Sequence, residues 1–117
     1  MGIDLQVLAT NFRERSGEFL ATATLRFDRD TRLLAIFAAT AEPCVVQPVP
    51  TDLKIGHYDD EGLRFDTLDR FGNQLTYTTP LSLRMVRFPG DLSAWNTAIV
   101  SFLMALPQDV RLVLYWC

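Results

Sequence analysis

The longest stretch without charge lies near the C-terminal end, where 17 consecutive residues, 92–108, contain no Asp, Glu, Lys or Arg. Ser93 near its start is a residue type that caps helices, and Pro107 near its end cannot continue one. The stretch therefore predicts a helix over residues 93–106. Large apolar side chains recur in it at helical spacing and are expected on its buried face. These side chains are Leu92, Trp95, Ile99, Phe102, Leu103 and Leu106.

The opposite side of this predicted helix carries small, neutral side chains, among them Ala94, Thr97 and Ser101. A helix on a protein surface normally places charged residues there. Since small side chains let a second backbone approach closely, we expect this side to be covered as well. One source of cover is the chain's own loops or a short helix over residues 80–86. The other source of cover is a second copy of the chain or another protein. Ala94, Thr97 and Ser101 are therefore candidate binding residues, and we predict self-association through helix 93–106.

Alternating apolar and polar residues predict strands over much of the remaining chain. The predicted strands are 3–8, 19–27, 54–58, 63–68, 74–79 and 110–116, with a proline-interrupted edge strand over 44–49. Helices are predicted over residues 31–41, with Asp30 as the cap, and over residues 80–86. Gly72-Asn73 predicts a tight reversal between the strands on either side of it.

This order of elements, β-β-α-β-β-β-β-α-α-β, predicts the α+β fold class. We expect a mostly antiparallel sheet of about five or six strands, with the helices packed on one face. A length of 117 residues and a hydrophobic content of 49% fit a single globular domain over residues 1–117. The last predicted strand ends one residue before the C-terminus, which indicates that the tail is held in the sheet.

The charge composition indicates which kinds of partner to expect. The net charge is −3, whereas a nucleic-acid binder normally presents a basic face, so we expect no nucleic-acid partner. No apolar run is long enough to span a membrane, and the first residues do not resemble a secretory signal. Ten arginines against one lysine are typical of a GC-rich bacterial genome. With two cysteines and no disulfide framework, the chain is expected to be a cytoplasmic bacterial protein.

One histidine, His57, precedes the densest acidic run, residues 59–61. A histidine oriented by a carboxylate is a general acid–base arrangement, so His57, Asp59 and Asp60, together with Tyr58, are candidate catalytic residues. The same carboxylates fit a solvated turn, and their spacing does not match a calcium-binding loop. We expect the turn, and we expect neither a metal site nor a cofactor.

The tetrapeptide Leu-Arg-Phe-Asp occurs at residues 25–28 and again at residues 63–66. On a strand, the Arg and the Asp of each copy point to the same face. If the two strands lie side by side, the four charged residues form a lattice that could bind an anion or a protein partner. The alternative is ordinary charge pairing on a wet surface. The four residues are Arg26, Asp28, Arg64 and Asp66.

Cys44 is a further candidate, as a nucleophile paired with His57. It leads into two valines within an apolar run, however, and a free cysteine in such a run is usually a small buried hydrophobic residue. We expect Cys44 to be buried and unreactive.

Taken together, these features favour a non-catalytic protein-interaction module, such as an immunity-type protein, an adaptor or a regulator. The chain contains no phosphate-binding glycine loop and no metal-ligand spacing. The alternative is a small hydrolase or isomerase with its site at His57 and the turn over residues 59–61. A third, weaker hypothesis is a small-molecule sensor with a cavity under the predicted reversal.

Overall fold

Eight strands and three helices form the fold, which the computed structural model describes for residues 2–117. The helices are α1 (Thr31–Phe37), α2 (Pro80–Leu83) and α3 (Ala94–Ala105). The strands are β1 (Leu5–Thr10), β2 (Ser16–Leu20), β3 (Ala23–Arg26), β4 (Gln47–Pro48), β5 (Asp52–Asp59), β6 (Gly62–Asp66), β7 (Thr76–Thr78) and β8 (Arg111–Trp116). The predicted α+β class is confirmed, with the strands divided between two sheets instead of gathered in one.

The larger sheet has five antiparallel strands in the order β3-β1-β8-β7-β4. β1 and β8 pair at its centre, with Leu5 opposite Trp116, so the tail is held in the sheet as predicted. The short strand β4 lies at the edge, also as predicted, because its Pro48 cannot donate a hydrogen bond to a further strand.

The smaller sheet contains β2, β5 and β6, with β2 parallel and β6 antiparallel to β5. It packs on one face of the larger sheet, where Leu53 of β5 joins Val113 of β8 in a buried cluster. The helices pack on the opposite face, where Leu103 of α3 joins Leu112 of β8. Since neighbouring residues of a strand point to opposite faces, the fold has three layers with the larger sheet in the middle.

The predicted strand over residues 19–27 is two strands in the structure. The backbone N–H of Ala21 donates to the carbonyl of Gly56 in the smaller sheet at 2.8 Å, and that of Thr22 donates to Ala9 in the larger sheet at 2.9 Å. The chain therefore passes from one sheet to the other between β2 and β3. The alternation of apolar residues continues through this crossing, so the pattern does not reveal it.

The predicted tight reversal is present between β6 and β7. The carboxylate of Asp69 accepts two backbone N–H bonds at 2.9 and 3.0 Å, and Gly72 has a φ of 82°. Leu68 and Gln74 form a single antiparallel bridge across it. The flanking strands then separate, since β6 belongs to the smaller sheet and β7 to the larger.

Helices α1 and α2 are shorter than the predicted segments 31–41 and 80–86. Both begin at capping side chains, with Asp30 and Thr79 accepting backbone N–H bonds at 2.9 and 3.2 Å. α1 ends at Phe37 because the backbone of Ala38 is extended. The high helix propensity of alanine is not enough to continue the helix to residue 41. No helix within residues 2–117 has both the length and the apolar character needed to cross a membrane.

Helix α3 has the predicted extent but a different buried face. Ser93 caps it as expected, yet Trp95 and Phe102 are 57% and 47% exposed. The orientation is set by Asn96, whose amide oxygen accepts the backbone N–H of Asp28 at 2.7 Å while its NH₂ donates to the carbonyl of Asp28 at 3.0 Å. The residues actually buried are Asn96, Ile99, Val100 and Leu103.

Candidate functional site

His57 lies between the two sheets, and its side chain is only 1% exposed. It shares the inner face of β5 with the buried residues Leu53 and Ile55. Its Nε2 lies 2.9 Å from Oδ2 of Asp66, and its ring centroid lies 4.6 Å from that of Tyr115. Because an ionised carboxylate only accepts hydrogen bonds, the geometry assigns a proton to Nε2. The buried Nδ1 has no hydrogen-bond partner within the described chain.

A chain of charges continues outward from Asp66. Arg64 lies 3.4 Å from Asp66 and 3.2 Å from Asp59, and Arg70 lies 4.0 Å from Asp59. The backbone N–H of Glu61, with help from the guanidinium of Arg64, holds the pKa of Asp59 below its ordinary value, and together they outweigh the opposing effect of desolvation. Asp59 in turn raises the pKa of Arg64. These ion pairs therefore hold the side chains in place, and the carboxylate of Asp59 is already paired with arginine.

The acidic run forms the turn between β5 and β6, as expected. Asp59 pairs with Gly62 at the end of the hairpin, and Gly62 has a φ of 114°. The carboxylate of Asp59 accepts the backbone N–H of Glu61 at 2.8 Å, which is the usual way an aspartate stabilises a turn.

The predicted catalytic residues are not brought together. Acid–base chemistry needs a substrate within hydrogen-bond reach of a histidine nitrogen, and burial closes both nitrogens of His57 to a substrate. Asp60 is exposed at the turn, and Tyr58 points to the outer face of β5 with 63% exposure. Three surface cavities of the described chain are lined by other residues. Within residues 2–117, no three His, Cys, Asp or Glu side chains are grouped to hold a metal ion.

The two Leu-Arg-Phe-Asp segments lie in different sheets, so they do not form a lattice of neighbouring strands. Arg26 bonds Asp4 at 2.6 Å, whereas Arg64 lies among the charges of the β5–β6 hairpin. Asp28 accepts the hydroxyl of Ser93 at 3.2 Å. The alternation that places an Arg and an Asp on one face does not specify the sheet to which each strand belongs.

Cys44 is exposed, so the expectation of burial is wrong. Its Sγ lies 3.5 Å from the carbonyl oxygens of Ala39 and Val46, neither of which is a base. The hydrogen-bond partner of His57 is Asp66, and the proposed cysteine–histidine pair is not formed. The apolar neighbours of Cys44 are half-buried while its own side chain turns outward.

The small-residue side of α3 is also exposed, including Ala94, Thr97 and Ser101. The expectation that the chain's own loops or α2 cover it is therefore wrong. α2 instead packs at the end of α3, where Arg84 donates to two carbonyl oxygens of the last turn at 2.8 and 3.0 Å. Because Arg84 supplies the positive charge that a helix C-terminus favours, α3 itself needs none there.

Trp95 and Phe102 stand beside these small residues, two helical turns apart. The indole N–H of Trp95 donates to the carbonyl of Arg26 in edge strand β3 at 2.7 Å, which fixes the ring while leaving most of it exposed. Together these residues form a neutral surface, named here the outer face of α3. It consists of Ala94, Trp95, Thr97, Ala98, Ser101, Phe102 and Ala105.

A second exposed apolar surface lies on the outer face of the smaller sheet. The strand register places Leu20, Gly56 and Phe65 in one row across the sheet, with Tyr58 and Leu63 in the next. The row next to Gly56 on the opposite side pairs Glu18 with Lys54, so this apolar surface has charges at its border. Sequence reasoning missed this surface because it depends on which strands are neighbours.

Comparison of the chain with protein-family models, with curated proteins and with solved structures finds no match in any of the three. A functional conclusion therefore rests on the geometry of the chain itself.

Proposed function

We propose that the protein is a non-catalytic protein-interaction module that binds through the outer face of α3. The observation that carries the proposal is the exposure of Trp95 and Phe102 on a helix without a single charged residue. Contiguous exposed apolar surface marks interaction sites on water-soluble proteins, and aromatic side chains dominate the energetics of interfaces. An immunity-type protein, an adaptor and a regulator all work by such binding.

The occupant that best matches this surface is a second copy of the chain. In a twofold-symmetric contact the same surface meets itself, so a charge near the axis would face its own like charge. The outer face of α3 has no charge, although the whole chain carries a net charge of −3. Its large side chains, Trp95 and Phe102, stand beside the small Ala98 and Ser101. Antiparallel pairing of two helices then sets large side chains of one copy against small ones of the other.

The proposed interface extends beyond α3. A stable protein contact buries about 800 Å² on each partner, and a helix of 12 residues is only about 18 Å long. α2 packs against α3, and Leu81 of α2 and Met85 just after it are 49% and 84% exposed. We therefore include these two side chains in the proposed interface.

Size-exclusion chromatography with light scattering tests this proposal on the full chain. Ser101→Lys sets two ammonium groups close together across a symmetric contact, whereas Ser16→Lys introduces the same charge on β2 of the smaller sheet. We expect the native chain and Ser16→Lys to have the mass of a dimer at high micromolar concentration, and Ser101→Lys to have that of a monomer. A native chain that stays monomeric at this concentration overturns self-association. Circular dichroism shows whether each variant is folded.

We also infer that the module works in a reducing compartment such as the bacterial cytoplasm. Cys44 is exposed and both cysteines are free thiols, a state that reducing compartments maintain. The proposed partner is a protein and not a nucleic acid, since the chain is acidic overall.

A further inference from the structure

An open cleft of about 460 Å³ lies between the loop that follows β1 and the segment that joins β4 to β5. It is lined by three arginines and a single carboxylate, although the whole chain is acidic. The charged residues are Arg13, Glu14, Arg15 and Arg111, and the neutral walls include Pro48, Pro50 and Tyr77. We name this region the arginine cleft.

Arg111 is held in the arginine cleft by two aromatic rings. Its guanidinium carbon lies 4.8 Å from the ring centroid of Phe12 and 5.2 Å from that of Tyr77. The two rings meet edge to face with their centroids 5.2 Å apart. Such contacts fix the flat faces of a guanidinium and leave its N–H edge available. Within residues 2–117, the Arg111 side chain forms no hydrogen bond or ion pair.

The other charges of the cleft leave a positive surplus. Arg13 is paired with Asp109, its Nη2 lying 2.9 Å from the carbonyl oxygen and 3.4 Å from the carboxylate. Glu14 accepts the backbone N–H of Arg13 at 2.9 Å, which lowers the pKa of Glu14 and keeps it ionised. Arg15 is exposed and forms no ion pair with the described residues. Arg15 and Arg111 thus provide two positive charges against the one negative charge of Glu14.

We infer that the arginine cleft binds the oxyanion end, carboxylate or phosphate, of a small organic molecule, with Arg111 as the principal contact. A guanidinium presents a planar pair of N–H groups that matches two oxygens of such an end. The rings of Pro48 and Pro50 offer an apolar wall to the organic part, and the volume is in the range of small-molecule sites. Phe12 and Tyr77 belong to the core cluster on the smaller-sheet side, opposite α3, so this site is independent of the proposed protein interface.

Titration of the ¹⁵N-labelled full chain with phenyl phosphate and with benzoate tests the inference. Inorganic phosphate measures the effect of charge without an organic part, and benzamide serves as the neutral analogue of benzoate. We expect saturable shifts of the Arg111 Nε–H and of the backbone amide of Tyr77 with at least one of the two acids. Benzamide leaves these signals in place. The acid that binds more tightly identifies the oxyanion, phosphate or carboxylate.

Substitutions assign the binding to the arginine cleft. Arg111→Gln removes the guanidinium and is expected to weaken binding by about tenfold or more. Arg15 lines the same cleft but is exposed, so Arg15→Gln should leave the fold intact. It therefore tests the site if Arg111→Gln is unstable. Arg87→Gln removes an exposed arginine elsewhere and leaves the affinity unchanged. The inference is overturned if neither acid gives saturable shifts in the native chain, or if a folded Arg111→Gln binds as tightly as Arg87→Gln. Where Arg111→Gln does not fold, it is overturned if Arg15→Gln binds as tightly as Arg87→Gln.

Discussion

The imidazole of His57 contacts the ring of Tyr115 at an interplanar angle of 50°, with centroids 4.6 Å apart, and this contact joins the smaller sheet to the larger one. The hydrogen bond from Nε2 to Asp66 fixes the orientation of the imidazole. The residue type that most often performs acid–base catalysis is thus used here in the packing between two sheets.

Replacing His57 with alanine is therefore expected to destabilise the fold by about 2–4 kcal/mol, because it opens a cavity between the sheets and removes a partner of Asp66. Urea unfolding measures the loss. Tyr58→Ala is the matched control, since the neighbouring side chain points outward, and we expect it to cost less than about 1 kcal/mol. A His57→Ala protein as stable as the native chain would contradict the structural role.

Gly56 leaves room for the ring of Phe65 on the outer face of the smaller sheet. A methyl group at Gly56 would lie 2.6 Å from Cε1 of that ring, so Gly56→Ala should cost about 1–3 kcal/mol. The obstruction is a side chain, and Phe65→Ala in the same chain should remove most of the penalty. A double-mutant cycle measured by urea unfolding gives the coupling energy between the two positions. A value near zero would mean that the ring does not fill the space above Gly56.

Asp4 links the first residues to β3 and to the loop after it through Arg26 and Arg29, at 2.6 and 3.1 Å. Desolvation raises the pKa of Asp4, but the two arginines together outweigh it and hold the pKa below its ordinary value of 3.8. The contribution of Asp4 to stability is thus present above the unfolded pKa and is lost as the pH falls through the lower, folded pKa.

Asp4→Asn should consequently lower the free energy of unfolding by about 0.5–1 kcal/mol at neutral pH, as is usual for ion pairs at a surface. The difference from the native chain should shrink as the pH falls through the folded pKa of Asp4, and it should disappear where the carboxyl group is protonated in both the folded and the unfolded state. Urea unfolding at several pH values checks this. A difference that stays constant down to the lowest pH would show that the ion pairs do not contribute.

The elements that could be predicted from the sequence are those with a local physical cause. Ser93 and Asp30 accept N–H bonds of the first helical turns, and the chain reverses at Gly72 because glycine adopts a positive φ without strain. The division into two sheets has no such cause. Ala21 and Thr22 continue the alternation of their neighbours while their backbones bond to different sheets.

The candidate sites were harder to predict because they join distant segments. Arg15, Tyr77 and Arg111 line the arginine cleft from three separate parts of the chain, and no spacing between them indicates a site. The neutral character of α3 was visible in the sequence. The exposure of Trp95 and Phe102 was not, because Asn96 sets the rotation of the helix by binding the backbone of Asp28.

We propose that the outer face of α3 is the contact surface between copies of the chain. The most direct test is a dilution series of ¹⁵N-labelled protein, from millimolar to low micromolar, followed by backbone amide chemical shifts. We expect concentration-dependent shifts over residues 94–105 and in α2, with the outer face of the smaller sheet unchanged. Spectra that are identical at every concentration, or shifts confined to Leu20, Tyr58 and Phe65, would contradict it.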